Sequence, residues 1–314
     1  MFNTAVLFLV YNRPDNTQRV FDILCTVKPS RLYIGCDGPN SNRPDDSRKI
    51  EQVQKIVSKV DWECEVNTLF RETNLGCKAA VEGSINWFFQ YEEEGIILED
   101  DCLPNIDFFN FCELLLKKYR NDDSIFAITG NNFQKGCWFG NASYYFSRYL
   151  HVWGWATWRS AWNHYDSDIS FWPTWKNSSE WLKLFPDEVE RKYWQMIFDK
   201  VHANEIDTWD YYWVCSLWKR GGLTATPNVN LVSNIGFGVD STHTFCSKSP
   251  LANLPKFRLQ EIIHPQEVIR ETEADRRVFN FVFKGKSMRW PIFPFFWGFQ
   301  TIKKYLSRVS KILP

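Results

Sequence analysis

The sequence predicts an α/β fold with a mostly parallel sheet, and three observations carry that expectation. Over roughly the first 130 residues, short β-type runs alternate with longer stretches of helical spacing. Each run ends on polar or charged residues, which is where open parallel sheets bind their ligands. At 314 residues and 44% hydrophobic content, the chain has ample material for a core, as one large domain or two modest ones.

Ala5 to Tyr11 is the first expected strand. Its run AVLFLVY is too short for a signal-peptide core with a cleavage site and is cut off by NRPDNTQR. Arg31 to Cys36, Cys64 to Phe70, Gly95 to Glu99 and Ile125 to Thr129 follow as strands, and Ile50, Val53, Ile56, Val57 and Val60 have the spacing of an intervening helix. This is the pattern of βαβ units. The residues after the strands are Asn12 and Arg13, then Asp37, Arg71, Glu99 to Asp101, and Gly130 with Asn131. Two arginines and four acids should therefore meet along one edge.

From about Trp138 the alternation fades, and 12 of the 16 tryptophans fall between Trp138 and Trp218. NVNLVSNIGFGVDSTHT reads as a strand entering a glycine-containing loop, and Pro265 to Arg277 as a charged helix. Lysine plus arginine equals aspartate plus glutamate at 37 each, which argues against a nucleic-acid footprint. The balance hides an asymmetry. Residues 286–314 contain six basic residues (Lys286, Arg289, Lys303, Lys304, Arg308, Lys311) and no acid, so the remainder is acidic by the same six charges. The nine cysteines are odd in number and form no C-x-x-C pair, as expected of reduced core thiols in a cytosolic protein. No segment is long enough to span a bilayer.

The stretch GIILEDDCLP drives an apolar strand into Glu99, Asp100 and Asp101. Adjacent carboxylates of this kind can hold a hard divalent cation that neutralises a diphosphate; otherwise they form a solvated acidic turn. Position after a buried strand favours the site.

LVYNRPDNT, RLYIGCDGP, FRETNLGCKAA, GIILEDDCLP, SRYLHVWGWATWRSAW and NLVSNIGFG followed by THT resemble the bacterial nucleotide-diphospho-sugar transferases of the GT-A fold. These are similar in layout to the N-acetylglucosaminyltransferase I family. The resemblance spans about Phe2 to Thr244. It implies a GT-A glycosyltransferase domain at 1–245, with a nucleotide-sugar half at 1–135 and an acceptor half at 136–245. A helical extension at 246–285 and a basic, aromatic, amphipathic tail at 286–314 complete the expected division.

On the same resemblance, Glu99-Asp100-Asp101 looks like the D-x-D-type metal motif. Asp101 would bind Mn²⁺ (or Mg²⁺), and Glu99 and Asp100 would face donor sugar and ribose. Arg13 and Asp37 match positions around the uridine, where an acceptor-only carboxylate suits an imide N–H or a ribose hydroxyl. Arg71 joins them as a donor-binding residue on the same edge. DTWDYYW resembles the segment supplying the base in inverting members, with Asp210 as the base; Asp207 is also available, and either could cap a helix starting near Trp209. His243 would complete the metal shell or donate to the diphosphate, or else is a surface-loop histidine. Most of the tryptophans belong to the core, with one or two lining an acceptor cleft.

The implied activity is metal-dependent transfer from a UDP-sugar, UDP-N-acetylglucosamine among the candidates, to a glycan or lipid-linked acceptor, with inversion. The expected location is the cytoplasm, peripheral on the inner membrane face, where the tail would meet anionic lipid or else pack on the domain. Two alternatives stand beside it. A sugar nucleotidyltransferase would need a glycine-rich loop after the first strand, and LVYNRPDNTQR has no glycine. A noncatalytic sugar-nucleotide-binding or membrane-scaffold protein would bind without turnover.

Overall fold

The computed structural model describes residues 2–238 and 249–289. The expected strands fall within a residue or two of their places: β1 Val6–Val10, β2 Arg31–Cys36, β3 Glu65–Phe70, β4 Glu94–Glu99, then β5 Cys102–Pro104 and β6 Ile125–Thr129. Every residue of β1 and β6 is buried, because helices cover the faces of a parallel sheet and leave no polar side to the strand. Between these strands lie α1 Pro14–Val27, α2 Asp46–Val57, α3 Cys77–Tyr91 and α4 Ile106–Tyr119. Pro14 occupies the first turn of α1, where its missing N–H costs nothing, and the Asn105 side chain caps α4 by accepting from the Phe108 N–H at 3.0 Å.

The second half adds β7 Tyr144–Ser147, β8 Trp155–Trp158, the short helices α5 Arg159–Trp162, α6 Trp172–Trp175 and α7 Ser179–Leu184, then α8 Glu188–His202, α9 Asp210–Lys219, β9 Leu223–Pro227, β10 Val232–Asn234 and α10 Thr272–Phe281. Eight strands form one sheet in the order β3-β2-β1-β4-β8-β6-β9-β7. β1 is parallel to β2 and β4, β2 to β3, and β6 to β9, whereas β8 runs antiparallel between β4 and β6. The reversal of β8 has a consequence for the site. It brings the start of β8, at Trp155, to the same edge as the carboxyl ends of β4 and β6. β10 pairs antiparallel with β5 as a separate two-stranded ladder beside that edge.

The tryptophan-rich region is core: Trp155, Trp172, Trp181, Trp194 and Trp213 are fully buried. A buried ionic network links it to the C-terminal segment. Arg148 pairs with Glu190, and Asp275 accepts from the Ser147 hydroxyl at 2.5 Å and from Arg270 at 2.6 Å. The expected helix from Pro265 to Arg277 starts only at Thr272, because Arg270 bridges to Phe146 in an extended conformation and the Glu271 side chain caps the helix through the Glu273 N–H. The eight cysteines described are all free thiols, but Cys25, Cys64, Cys77 and Cys137 are only half-buried, so the description of all as core residues is too strong. No helix among the described residues is long and apolar enough to cross a membrane. His243 and most of the basic tail lie outside the described residues.

Candidate functional site

Strand order reverses its direction of winding at β1, and the crevice beside that strand's carboxyl end is where open α/β sheets bind ligands. A cavity of about 220 Å³ opens there. Its wall brings together all five expected donor-binding residues, Arg13, Asp37, Arg71, Glu99 and Asp100, and adds Asp207. Asp101 does not line it.

The three carboxylates after β4 are neutralised in part from within the chain. Arg13 Nη1 donates to Asp100 Oδ1 and to Asp101 Oδ2, both at 3.0 Å. Asp100 also accepts the Tyr11 N–H at 3.1 Å, and Asp101 Oδ1 lies 3.4 Å from Asn234 Nδ2. The positive group that the adjacent acids require is thus Arg13. The expectation sets Arg13 beside the uridine; here it lines the cavity with its guanidinium turned to these two acids. Burial pushes the Asp100 carboxyl up to about 6 against the pull of Arg13, and burial together with Asp101 and Asp100 raises Glu99 well above the usual carboxylate range. The Glu99 carboxyl makes no hydrogen bond or ion pair among the described residues. Among the described residues one guanidinium, Arg13, is paired within this group of three adjacent carboxyl groups.

Asp37 is likewise engaged within the chain. Its carboxylate accepts from the Gly38 N–H (2.9 Å), the Leu75 N–H (3.0 Å), the Gly76 N–H (3.2 Å) and Asn74 Nδ2 (2.9 Å). It fastens the 73–76 segment to the end of β2 and has little capacity left for a ligand. Arg71 behaves in the opposite way. Its guanidinium donates to the Ser84 hydroxyl at 3.1 Å, no carboxylate lies within ion-pair distance among the described residues, and burial pulls its pKa down. Unlike Arg13, it has no carboxylate partner among the described residues to give up for an incoming acceptor group.

Asp210 opens α9. Its Oδ1 accepts from the Thr208 hydroxyl and, at 2.9 Å, from the Tyr211 N–H. Its charge reaches both Glu99 and Cys77, and burial with Glu99, Asp207 and Asp210 drives the Cys77 thiol up to about 12. Asp210 therefore stands on the same edge as the acids of β4.

Sequence reasoning missed a second carboxylate network. Asp46 accepts from Tyr11 Oη (2.6 Å), Asn12 Nδ2 (2.6 Å) and the Asn40 N–H (3.1 Å), and Asn74 Nδ2 donates to Tyr11 Oη at 3.0 Å. Burial would raise this carboxyl, but the three hydrogen bonds outweigh it and hold it below the usual range. Nothing in NSNRPDDSRK distinguishes Asp46 from Asp45.

Among the described residues no group of three His, Cys, Asp or Glu side chains is placed to hold a metal ion. The donor set nevertheless fits a hard cation of the magnesium or manganese kind, which takes one or two carboxylates and leaves its other positions to substrate phosphates and water. Glu99, whose carboxyl has no partner among the described residues, and Asp101 would supply the oxygens that hold it.

No protein-family model matches the chain, and no curated protein matches it. Among solved structures it is similar to 4-diphosphocytidyl-2C-methyl-D-erythritolsynthase from Anaerococcus prevotii DSM 20548, at 9% identity over 72% of this chain and 89% of that one, with a TM-score of 0.35. It is also similar to HddC from Yersinia pseudotuberculosis (10% identity, 51% of this chain and 78% of that one, TM-score 0.30). A third is a UDP-glucose pyrophosphorylase complexed with UDP-glucose (10%, 42% and 65%, TM-score 0.25). Likeness at this level does not decide what the chain does.

Proposed function

We propose that the chain is a glycosyltransferase that takes a nucleotide-diphosphate sugar, a UDP-sugar in the first instance, and passes the sugar to a hydroxyl of a glycan or lipid-linked acceptor with inversion. The observation that carries this reading is the cavity at the switch point, where Arg71, without a carboxylate partner among the described residues, shares the wall with Glu99 and Asp100, and Asp101 stands beside them on Arg13. Arg71 would meet the carbonyls of the base, and Glu99 the hydroxyls of the donor sugar. Asp101 and Glu99 would hold a divalent cation, which when bound stabilises the leaving diphosphate.

Asp210 is assigned as the base. Its carboxylate takes the proton of the acceptor hydroxyl as that oxygen bonds to the anomeric carbon. The bond from that carbon to the diphosphate breaks in the same step, and the nucleoside diphosphate leaves with the electron pair.

Nucleotidyl transfer, the second reading, is the one the names of the similar solved structures favour. A triphosphate needs free backbone N–H groups or cations in the turn after the first strand. Here that turn has no glycine, and Pro14 contributes no N–H. The two readings separate in one assay. The protein is given a panel of UDP-sugars with Mn²⁺ and scored for UDP, and separately given nucleoside triphosphates with sugar 1-phosphates and scored for pyrophosphate. Metal-dependent UDP release supports glycosyl transfer. Pyrophosphate release alone replaces it with the second reading, and binding with neither product leaves a noncatalytic binder.

A further inference from the structure

Along the site edge the strand order gives three stations: the cavity at β2 and β1, the carboxylates after β4, and then β8 and β6. The third station is aromatic. Trp153, just before β8, meets Phe237 edge-on at 5.7 Å and Phe133 edge-on at 5.4 Å, and Phe133 in turn meets His151 at 4.5 Å. Trp153, His151 and Phe237 are half-buried, and Phe133 is buried.

Two glycines set these rings beside the acids. Gly154 has φ +75, and a Cβ there would come within 2.9 Å of Val232 and 3.3 Å of Leu98, the residue before Glu99. At Gly236 a Cβ would lie 2.1 Å from Asp101 Oδ2. The backbone must therefore press against the end of β4 at both points, and Trp153 and Phe237 are the neighbours of those two glycines. The indole donors tell the core rings from this one. The N–H groups of Trp155, Trp175, Trp181 and Trp213 are buried without a partner, sealed from any ligand. The Trp153 side chain is half-buried, and its N–H has no hydrogen-bond acceptor among the described residues.

We infer that Trp153 and Phe237 form the subsite for a pyranose ring of the acceptor. Resting on the glycosyltransferase reading, this names the acceptor's reacting end as a sugar and not a bare lipid or protein hydroxyl. A pyranose has an apolar face of C–H groups that packs on an aromatic ring and a rim of hydroxyls that bond polar groups beside it. The rings braced by Phe133 offer the first, and the Trp153 N–H the second. The station lies on the far side of the carboxylates from the cavity. A nucleoside in the cavity and a sugar at the carboxylates leave this position to the second substrate.

The test uses Trp153→Ala, Trp153→Phe and Phe237→Ala in the full chain. Donor affinity is read by calorimetry with UDP and Mn²⁺, and ligand binding by saturation-transfer NMR with methyl pyranosides of the common hexoses and N-acetylhexosamines. The expected result is pyranoside affinity, or acceptor KM where transfer is observed, weakened about tenfold in both Ala variants and largely kept by Trp153→Phe, with UDP affinity unchanged. Equal loss of UDP affinity would place the rings in the donor site or the core and overturn the inference, as would pyranoside binding indifferent to the Ala changes. If Trp153→Ala fails to fold, Trp153→Phe and Phe237→Ala carry the comparison. Wild-type protein that turns over UDP-sugars yet binds no pyranoside refutes the subsite alone. Protein that binds pyranosides through Trp153 but turns over no donor refutes the glycosyltransferase reading and leaves the subsite standing.

Discussion

Replacing Arg13 by Gln tests the electrostatic account of the site. The guanidinium touches Asp100 and Asp101 at 3.0 Å through one nitrogen, and its side chain is 18% exposed against 5% and 11% for the two acids. Removing one partner of a buried pair leaves uncompensated charge and costs about 3 to 5 kcal/mol; the partial exposure of Arg13 puts this case near the lower end, about 3 kcal/mol. For a chain of this size that is a fall of roughly 6 °C in Tm. The same substitution frees two carboxylates that Arg13 had occupied. Mn²⁺ should therefore bind Arg13→Gln more tightly than wild type in the absence of donor, and should restore most of the lost Tm. Scanning calorimetry with and without Mn²⁺ reads both effects. A variant as stable as wild type, or one whose loss Mn²⁺ leaves untouched, would show that Arg13 does not hold the acids together.

Three further outcomes follow from the geometry. Asp37→Asn should cost about 2 kcal/mol in chemical denaturation, since four N–H donors lose a charged acceptor, and should weaken UDP binding because the 73–76 segment walls the cavity. Asp210→Asn should lower the transfer rate by about 10² to 10⁴ while leaving UDP affinity intact in calorimetry; equal losses in both would move Asp210 out of the base role. Burial pulls the His151 imidazole down to about 3, so the unfolded chain binds the extra proton between that value and about 6.5, and stability falls as pH drops through that window. At pH 5 the loss is at most about 2 kcal/mol, less for a half-buried ring, and His151→Phe should flatten that part of the stability profile; an unchanged profile would show that His151 does not cause it.

The strands of the first half were legible because both faces are covered, which makes β1 and β6 continuous apolar runs. β7 and β8 were not, since YYFS and WATW are four residues each and their aromatics suit a helix, a strand or a loop equally. At the site, residue type and strand end placed Arg13, Asp37, Arg71, Glu99 and Asp100 on one wall. Partner choice was not legible. That Arg13 turns to Asp100 and Asp101, while Asp37 turns to the backbone of a segment 38 residues on, depends on distances only the fold sets. Asp46 escaped for the same reason.

Arg13 also bears on how a donor and a cation would enter together. Its guanidinium and the proposed divalent cation would compete for the same oxygens, Asp101 Oδ2 above all, so an ion arriving alone would have to displace a charge already well placed. A diphosphate arriving with the ion changes the balance, because it brings negative charge that the released guanidinium can meet through charge-assisted hydrogen bonds. Each ligand then raises the affinity for the other by the same factor, as linkage requires. Arg13 is in this view a switch between an internally neutralised resting site and one opened by the pair of ligands. The measurable mark is the dependence of UDP affinity on Mn²⁺, which should be steep in the wild type and shallow in Arg13→Gln, where the carboxylates stand open to the ion before the nucleotide arrives.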